Sequence, residues 1–179
     1  MKFFLLVIFT NLMALLCCNA QGRYQVLTDS AENNANMYKG IIEKNDLLQD
    51  TSFHWYAESQ RIYPHPDTSA VAALRSNKDS VYFIIFAGTW CEDSHFVLPK
   101  FFKIQEASDF PQSHITIFAV DRNKVTFGNI TQALRVINVP TIIVMKNGKE
   151  LGRIVEYGKT GRWDQELAGI INGSTPQVN

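Results

Sequence analysis

The chain has 179 residues, 46% of them hydrophobic, and its 17 Lys and Arg balance 17 Asp and Glu, which gives a formal net charge of zero. This balance argues against a nucleic-acid-binding protein and against a basic membrane-surface protein, because both carry clustered positive charge. The length and composition suit one globular domain with a full hydrophobic core and a small extension.

Residues 1–20 predict a signal peptide. Lys2 precedes an apolar stretch, and small residues follow it up to Ala20. We expect cleavage after Ala20 and export to the periplasm or the extracellular space. The apolar run is too short and too interrupted to predict a stable membrane span. Cys18, which ends a Leu-Leu-Cys-Cys run, leaves lipoprotein anchoring as the alternative.

Cysteine usage points to a single thiol in the exported protein. The chain has three cysteines, and Cys17 and Cys18 lie inside the predicted leader. Cys91 is then the one that remains, so no internal disulfide can form. The stability of the exported protein must come from packing.

Residues 21–67 predict an N-terminal extension that is helical and aromatic. The pattern at 29–50 favours a helix, with Asp29 or Ser30 as its N-cap. Residues 51–66 contain two prolines, which argue against regular helix there. The aromatic residues of this segment either pack the extension onto the main domain or line a ligand groove; they are Trp55, Tyr56 and Tyr63.

From residue 68 the pattern alternates between helix and strand. The run 81–86 is apolar on both faces, which is typical of a strand in the middle of a sheet, and Asn147-Gly148 predicts a hairpin turn. This order predicts an α/β domain with a central mixed β-sheet and helices on both faces. We predict helices at 68–76, 91–107, 130–136 and 161–171, strands at 81–86, 115–120, 141–145 and 151–157, and a flexible tail at 173–179.

Four features in this order resemble the thioredoxin family over residues 68–172. They are Trp90-Cys91 after a buried strand, Pro99 in the following helix, Val139-Pro140-Thr141 before a later strand, and a Lys-Asn-Gly-Lys hairpin. The run 88–94 is also similar to a group of exported thioredoxin-like proteins with a monothiol Trp-Cys-x-x-Ser site. The resemblance implies the thioredoxin fold.

The departures from that family concern its redox chemistry. Ser94 stands where thioredoxins carry a second cysteine. Ile85 and Ile117 occupy the places of a buried acid and of its lysine partner. Ordinary dithiol reductase turnover is therefore not expected. The segment 121–140 is longer than is usual in the family, which implies an inserted loop near 127–129.

Cys91 is the predicted nucleophile. At the start of a helix, unpaired backbone N–H groups and the helix dipole favour its thiolate, and Ser94 could donate a hydrogen bond to it. Glu92 and Asp93 oppose the thiolate by charge repulsion. His95 lies one helical turn away, where it either supports the thiolate as an imidazolium or is simply solvated.

The resemblance also implies a substrate-binding surface. Pro140 is expected to follow a cis peptide bond that places the Val139 backbone beside Cys91, where an extended substrate can pair with it. Trp90 is expected to shield the sulfur and to supply an apolar contact for a partner. The four histidines are scattered without ligand spacing, so we predict neither a metal site nor a cofactor.

These features predict an exported thiol-disulfide exchange protein that acts through Cys91. Without a resolving thiol, a mixed disulfide at Cys91 must be released by a second substrate thiol or by a small external thiol. That mechanism suits a monothiol oxidoreductase or isomerase acting on envelope or secreted polypeptides, or on small-thiol adducts. The alternative is a catalytically inactive module that binds polypeptides in the proline groove.

Overall fold

The computed structural model describes residues 22–63 and 65–174. The predicted signal peptide, the Cys18 lipoprotein alternative and most of the predicted tail lie outside these residues. The strands are β1 (Tyr24–Asp29), β2 (Ala35–Ile42), β3 (Val81–Ala87), β4 (Ile115–Ala119), β5 (Thr141–Lys146) and β6 (Lys149–Val155). The α-helices are α1 (Lys44–Gln49), α2 (His54–Ile62), α3 (Thr68–Asn77), α4 (Glu92–Ala107), α5 (Ile130–Ala133) and α6 (Trp163–Ile171).

The strands form one six-stranded mixed sheet in the order β1-β2-β4-β3-β5-β6. Only β3 and β4 pair in parallel, and every other neighbouring pair is antiparallel. This arrangement confirms the predicted α/β class with a central mixed sheet. It also places β3 inside the sheet, as its apolar run indicated.

Side chains that alternate along β3 divide the core between the two faces of the sheet. Phe83 and Ile85 join the larger cluster, which contains buried residues of α1, α2, α3, α4 and α6. Phe86 points the other way into a smaller cluster with Val120 and Ile143, against which Ile130 of α5 packs. Helices therefore cover both faces, as predicted.

The helix predicted at 29–50 is wrong. A β-hairpin, β1–β2, and the short helix α1 occupy this segment. Asn33 and Asn34 have φ of 48° and 61°, a left-handed turn conformation that asparagine tolerates and that interrupts a helix. Because β2 pairs with β4, this hairpin extends the central sheet.

Helical structure in the N-terminal segment lies later than predicted. α2 runs from His54 to Ile62 inside the region where prolines argued against helix, and it ends before Pro64. Farther along, the predicted helix 130–136 is a single turn, Ile130–Ala133. Among the described residues, no helix is both long and apolar enough to cross a membrane.

Candidate active site

Cys91 lies at the junction between β3 and α4, and it is the N-cap residue of that helix. Its thiol is free and half-buried. The sulfur donates a hydrogen bond to the carbonyl oxygen of Val139, at an Sγ to O distance of 3.3 Å. The end of one strand and the segment leading into another therefore meet at this sulfur.

The Val139 side of the site is held by backbone contacts. The Val139–Pro140 peptide bond is cis, and both residues are buried. The hydroxyl of Thr141 donates to the Asn138 carbonyl at 2.6 Å, and the amide of Glu156 donates to the Pro140 carbonyl at 2.7 Å. The structure thus brings Val139 and Pro140 beside Cys91.

Trp90 is fixed against the loop that follows β4. Its indole Nε1 donates to the Val120 carbonyl at 2.9 Å, and the Arg122 guanidinium lies 5.0 Å from the centre of its ring. The Trp90 ring can occupy this place because residue 88 is a glycine. A Cβ at residue 88 would lie 2.7 Å from the Trp90 ring and 3.1 Å from the Cys91 Cβ. The tryptophan consequently lies beside the cysteine loop.

An ion pair connects the β1–β2 hairpin to this loop. The Nε of Arg122 lies 2.8 and 2.9 Å from the two carboxylate oxygens of Asp29, which is 3% exposed. Hydrogen bonding from Arg122 lowers the pKa of Asp29 despite its burial. In turn, that hydrogen bond raises the pKa of Arg122, and attraction to Cys91 in its charged form contributes less.

Ser94 is bonded to the backbone of the cysteine loop, and no hydrogen bond joins it to the sulfur in the described residues. It is fully buried, and its hydroxyl oxygen accepts a hydrogen bond from the Gly88 amide at 3.1 Å. The first turn of α4 places this hydroxyl against the backbone at the end of β3. Within the described residues, the Ser94 hydroxyl makes no hydrogen bond to Cys91, so it supports the loop.

His95 is bonded to the backbone of the cysteine loop. Its Nε2 lies 2.7 Å from the Thr89 carbonyl oxygen, which can only accept, so Nε2 carries a proton. Burial lowers the pKa of His95 below its ordinary value. The ring also stacks on Trp55, with 3.9 Å between centroids. Of the two alternatives for His95, burial disfavours the imidazolium, and the contacts with Thr89 and Trp55 argue against a simply solvated ring.

The aromatic residues of the N-terminal segment divide between the two predicted roles. Tyr56 is fully buried in the main core. Tyr63 donates from its hydroxyl to Asp164 of α6 at 3.3 Å. Trp55 stacks on His95 and lines a cleft that contains Cys91. Tyr56 and Tyr63 therefore pack the extension onto the main domain, and Trp55 lines a groove.

Glu92 and Asp93 occupy the first turn of α4, where carboxylates suit the helix dipole. Asp93 accepts a hydrogen bond from the Tyr157 hydroxyl at 2.7 Å. This bond is the main reason why the pKa of Tyr157 rises to about 12. Both carboxylates line the cleft beside Cys91.

Comparison with known proteins places this arrangement in a family. The family model described as thioredoxin matches residues 41–163. The chain belongs to the thioredoxin family. The match begins in β2, well before residue 68, where the resemblance drawn from the sequence begins.

Relatives of this thioredoxin-family chain differ from it substantially. It is 30% identical to thioredoxin-1 of Saccharomyces cerevisiae over 78 residues, which cover 44% of this chain and 70% of that protein. An HIV epitope scaffold matches with a TM-score of 0.54 at 15% identity, covering 74% of this chain and 93% of its own. A Pseudomonas aeruginosa protein of unknown function matches with a TM-score of 0.53 at 15% identity, covering 71% and 89%.

The thioredoxin-like fold associates this chain with thiol-disulfide exchange in general. Ile85 and Ile117, which stand in the places of the family's buried acid and lysine, are paired neighbours on β3 and β4, and they are 0% and 2% exposed. An apolar pair cannot carry a proton. In the described residues, no group of three or more His, Cys, Asp and Glu side chains could hold a metal ion.

Sequence reasoning missed the part of the site that the N-terminal hairpin contributes. Asp29 and Arg122 are 93 positions apart, so no local pattern could link them. The tryptophan beside the cysteine and the basic residue after β4 were visible in the sequence, but their contact depends on the loop conformation. The contacts with the sulfur that the sequence allowed for Ser94 and His95 are replaced by hydrogen bonds of both side chains with the backbone of the cysteine loop.

Proposed function

We propose that this protein is an exported thiol-disulfide exchange protein that acts through Cys91 alone. The observation that supports this most strongly is the position of the half-buried Cys91 sulfur. It lies at the N-terminus of α4 and 3.3 Å from the backbone of Val139, inside a thioredoxin-family framework. The N-terminal sequence pattern supports export to the periplasm or the extracellular space.

The proposed reaction begins when the Cys91 thiol loses its proton to solvent. The thiolate attacks one sulfur of a substrate disulfide, a new Cys91 to substrate S–S bond forms, and the old S–S bond breaks. The departing sulfur leaves as a thiolate and takes a proton from solvent. The positive end of the α4 dipole favours the attacking thiolate.

Release requires a second thiol, because Ser94 cannot supply one. A different cysteine of the same substrate attacks the mixed disulfide, which forms a rearranged substrate disulfide and frees Cys91. A small external thiol can do the same and leaves with the substrate sulfur. Neither route changes the number of disulfide bonds, so isomerisation or adduct exchange fits this site better than net reduction.

The substrate polypeptide is proposed to lie along the Val139–Pro140 backbone with Trp90 at its side. Envelope or secreted proteins with thiols or disulfides, together with small-thiol adducts, are the substrates that fit this chemistry. A second function, polypeptide binding without chemistry, is favoured by one observation. Ile85 and Ile117 put an apolar pair where the resemblance would place an acid and a lysine, so these two positions supply no proton relay.

Reactivation of scrambled ribonuclease tests the proposal. The mature protein should restore ribonuclease activity in the presence of a small thiol, and Cys91→Ala should lose this effect while remaining folded. The matched control is Ser94→Ala, which keeps the Cys91 thiol and removes a nearby hydroxyl. Equal reactivation by wild type and Cys91→Ala would instead favour the binding module.

A further inference from the structure

A cleft of about 730 Å³ opens beside Cys91. Its walls come from the turn between β1 and β2, from the start of α2, and from residues 89–93 with Arg122. Neither Val139 nor Pro140 lines it. A disulfide that forms at Cys91 therefore has two neighbouring surfaces, the proline groove and this cleft.

The aromatic wall of the cleft is fixed in place. Trp55 stacks on His95 with an interplanar angle of 16°, and His95 is bonded to the Thr89 carbonyl in the cysteine loop. Elsewhere in the lining, the ion pair between Asp29 and Arg122 holds the hairpin turn against the loop that follows β4. The aromatic wall is thus bonded to the cysteine loop, and the hairpin turn is held through Arg122, whose guanidinium lies 5.0 Å from the centre of the Trp90 ring. The cleft is therefore a preformed site.

Charge in the cleft is predominantly negative. Four carboxylates line it against one guanidinium, and Asp29 uses both its oxygens on Arg122. Glu32 approaches the same guanidinium at 3.6 Å, but its side chain remains 65% exposed. The other two carboxylates, Glu92 and Asp93, have no cationic partner among the described residues. Asp93 accepts its hydrogen bond from a neutral group, the Tyr157 hydroxyl.

We propose that this cleft binds a cationic polypeptide segment next to the reacting disulfide, so that Cys91 exchanges preferentially with disulfides flanked by Lys or Arg. The inference rests on the proposed function. The volume of the cleft falls within the range of sites that enclose drug-sized ligands, roughly 300–1,000 Å³. It therefore exceeds the volume that a single small thiol requires. Unpaired carboxylates beside the sulfur attract ammonium and guanidinium groups and repel anionic substrates.

The test uses three symmetric peptide disulfides of the form Ac-Ala-X-Cys-X-Ala-NH₂, where X is Lys, Gln or Glu. Mass spectrometry measures the rate at which Cys91 forms a mixed disulfide with each peptide. The same rates with 2-mercaptoethanol correct for the intrinsic reactivity of the peptides. After this correction, we expect the Lys peptide to react about tenfold faster than the Glu peptide at low salt, and the preference to shrink in roughly 0.5 M NaCl.

Variants assign the preference to the cleft. Glu32→Gln and Glu92→Gln should each reduce the Lys-to-Glu rate ratio. The control is Asp79→Asn, which removes an exposed carboxylate before β3, at the far end of that strand, and should leave the ratio unchanged. A corrected ratio below about threefold at low salt, or one that neither Gln variant reduces, would overturn the proposal.

Two further outcomes separate this inference from the proposed function. A Cys91 that reacts with none of the three peptides, while the protein is folded, would overturn both. Equal reaction with all three would overturn the charge preference and leave exchange through Cys91 intact. Cystamine, a small disulfide with two amino groups, provides the last comparison. If its corrected rate exceeds that of the Gln peptide by as much as the rate of the Lys peptide does, the ligand is not a polypeptide and the cleft is assigned to small aminothiols.

Discussion

Replacing Ser94 by cysteine should convert this protein into a dithiol reductase. Positions three apart at the start of a helix have Cβ atoms about 5–6 Å apart, and a disulfide needs about 3.5–4.5 Å. A shift of about 1–2 Å, which the first turn of α4 can supply, would therefore let the Ser94→Cys variant close a disulfide between Cys91 and the introduced thiol. Closure of that disulfide releases a bound substrate without an external thiol.

The substitution also has a cost in stability that can be worked from the structure. The Ser94 hydroxyl accepts a buried hydrogen bond from the Gly88 amide at 3.1 Å. Losing one partner of a buried hydrogen bond costs about 1–3 kcal/mol, and a thiol accepts weakly, so we expect a loss of about 1 kcal/mol in the reduced variant. Urea unfolding under reducing conditions measures this difference.

Ser94→Ala is the matched control, since it removes the same hydrogen-bond acceptor without adding a thiol. It should lose a similar free energy of unfolding and gain no turnover. Insulin reduction with a recycling reductant is the activity assay, and Ser94→Cys should exceed Ser94→Ala by about tenfold or more. A folded Ser94→Cys protein that forms the internal disulfide and still fails to turn over would refute the reasoning and implicate Ile85 and Ile117.

Three other substitutions test the surrounding structure. Burial opposes ionisation of Glu166, yet hydrogen-bond donors in the loop before α6 lower its pKa from the ordinary value. The stabilisation from Glu166 is therefore complete above the unfolded pKa and is lost as pH falls through the lower folded pKa. In urea unfolding, Glu166→Gln should reduce the loss of stability on the acid side of the ordinary glutamate pKa of about 4.3. Gly88→Ala should displace the Trp90 ring, cost about 1–3 kcal/mol and shift tryptophan fluorescence; an unchanged spectrum with wild-type stability would contradict the predicted clash. Trp55→Ala should expose His95 and move its pKa up toward the ordinary value, which an NMR titration would detect; an unmoved titration would show that Trp55 does not bury the ring.

The central part of the fold could be predicted because its signals are local. The 81–86 run is apolar on both faces and becomes the buried strand β3, and Asn147-Gly148 becomes the β5–β6 turn. Both patterns depend on neighbouring residues alone. The same is true of the position of Cys91 between a strand and a helix.

The N-terminal hairpin could not be predicted in this way. Tyr38 and Ile42 are spaced four apart, which suits a helix as well as a strand, and Met37 adds to the helical pattern. Gly40 lies between them with φ of 129°, a conformation open to glycine. Pairing with β4, more than 70 positions away, decides the structure of this segment, and the sequence does not display it.

The site was predicted where it depends on the framework and missed where it depends on distant contacts. Cys91 and Val139 meet because two strand ends meet. Proximity in sequence made Ser94 and His95 candidates for acting on the sulfur, but each of them bonds to the backbone of the 88–89 segment. Spacing along a helix determines which residues are neighbours. It does not determine which hydrogen-bond partners their polar atoms find.

The central claim is that the fold makes Cys91 an exchange-competent thiol. The most direct test is the rate at which Cys91 reacts with 2-hydroxyethyl disulfide at about pH 7 in the native protein, compared with the same chain unfolded in urea. Because this probe is neutral, the comparison isolates the effect of the fold from that of substrate charge. We predict that native Cys91 reacts about tenfold faster than the unfolded thiol. A native thiol that reacts more slowly than the unfolded one would contradict the account.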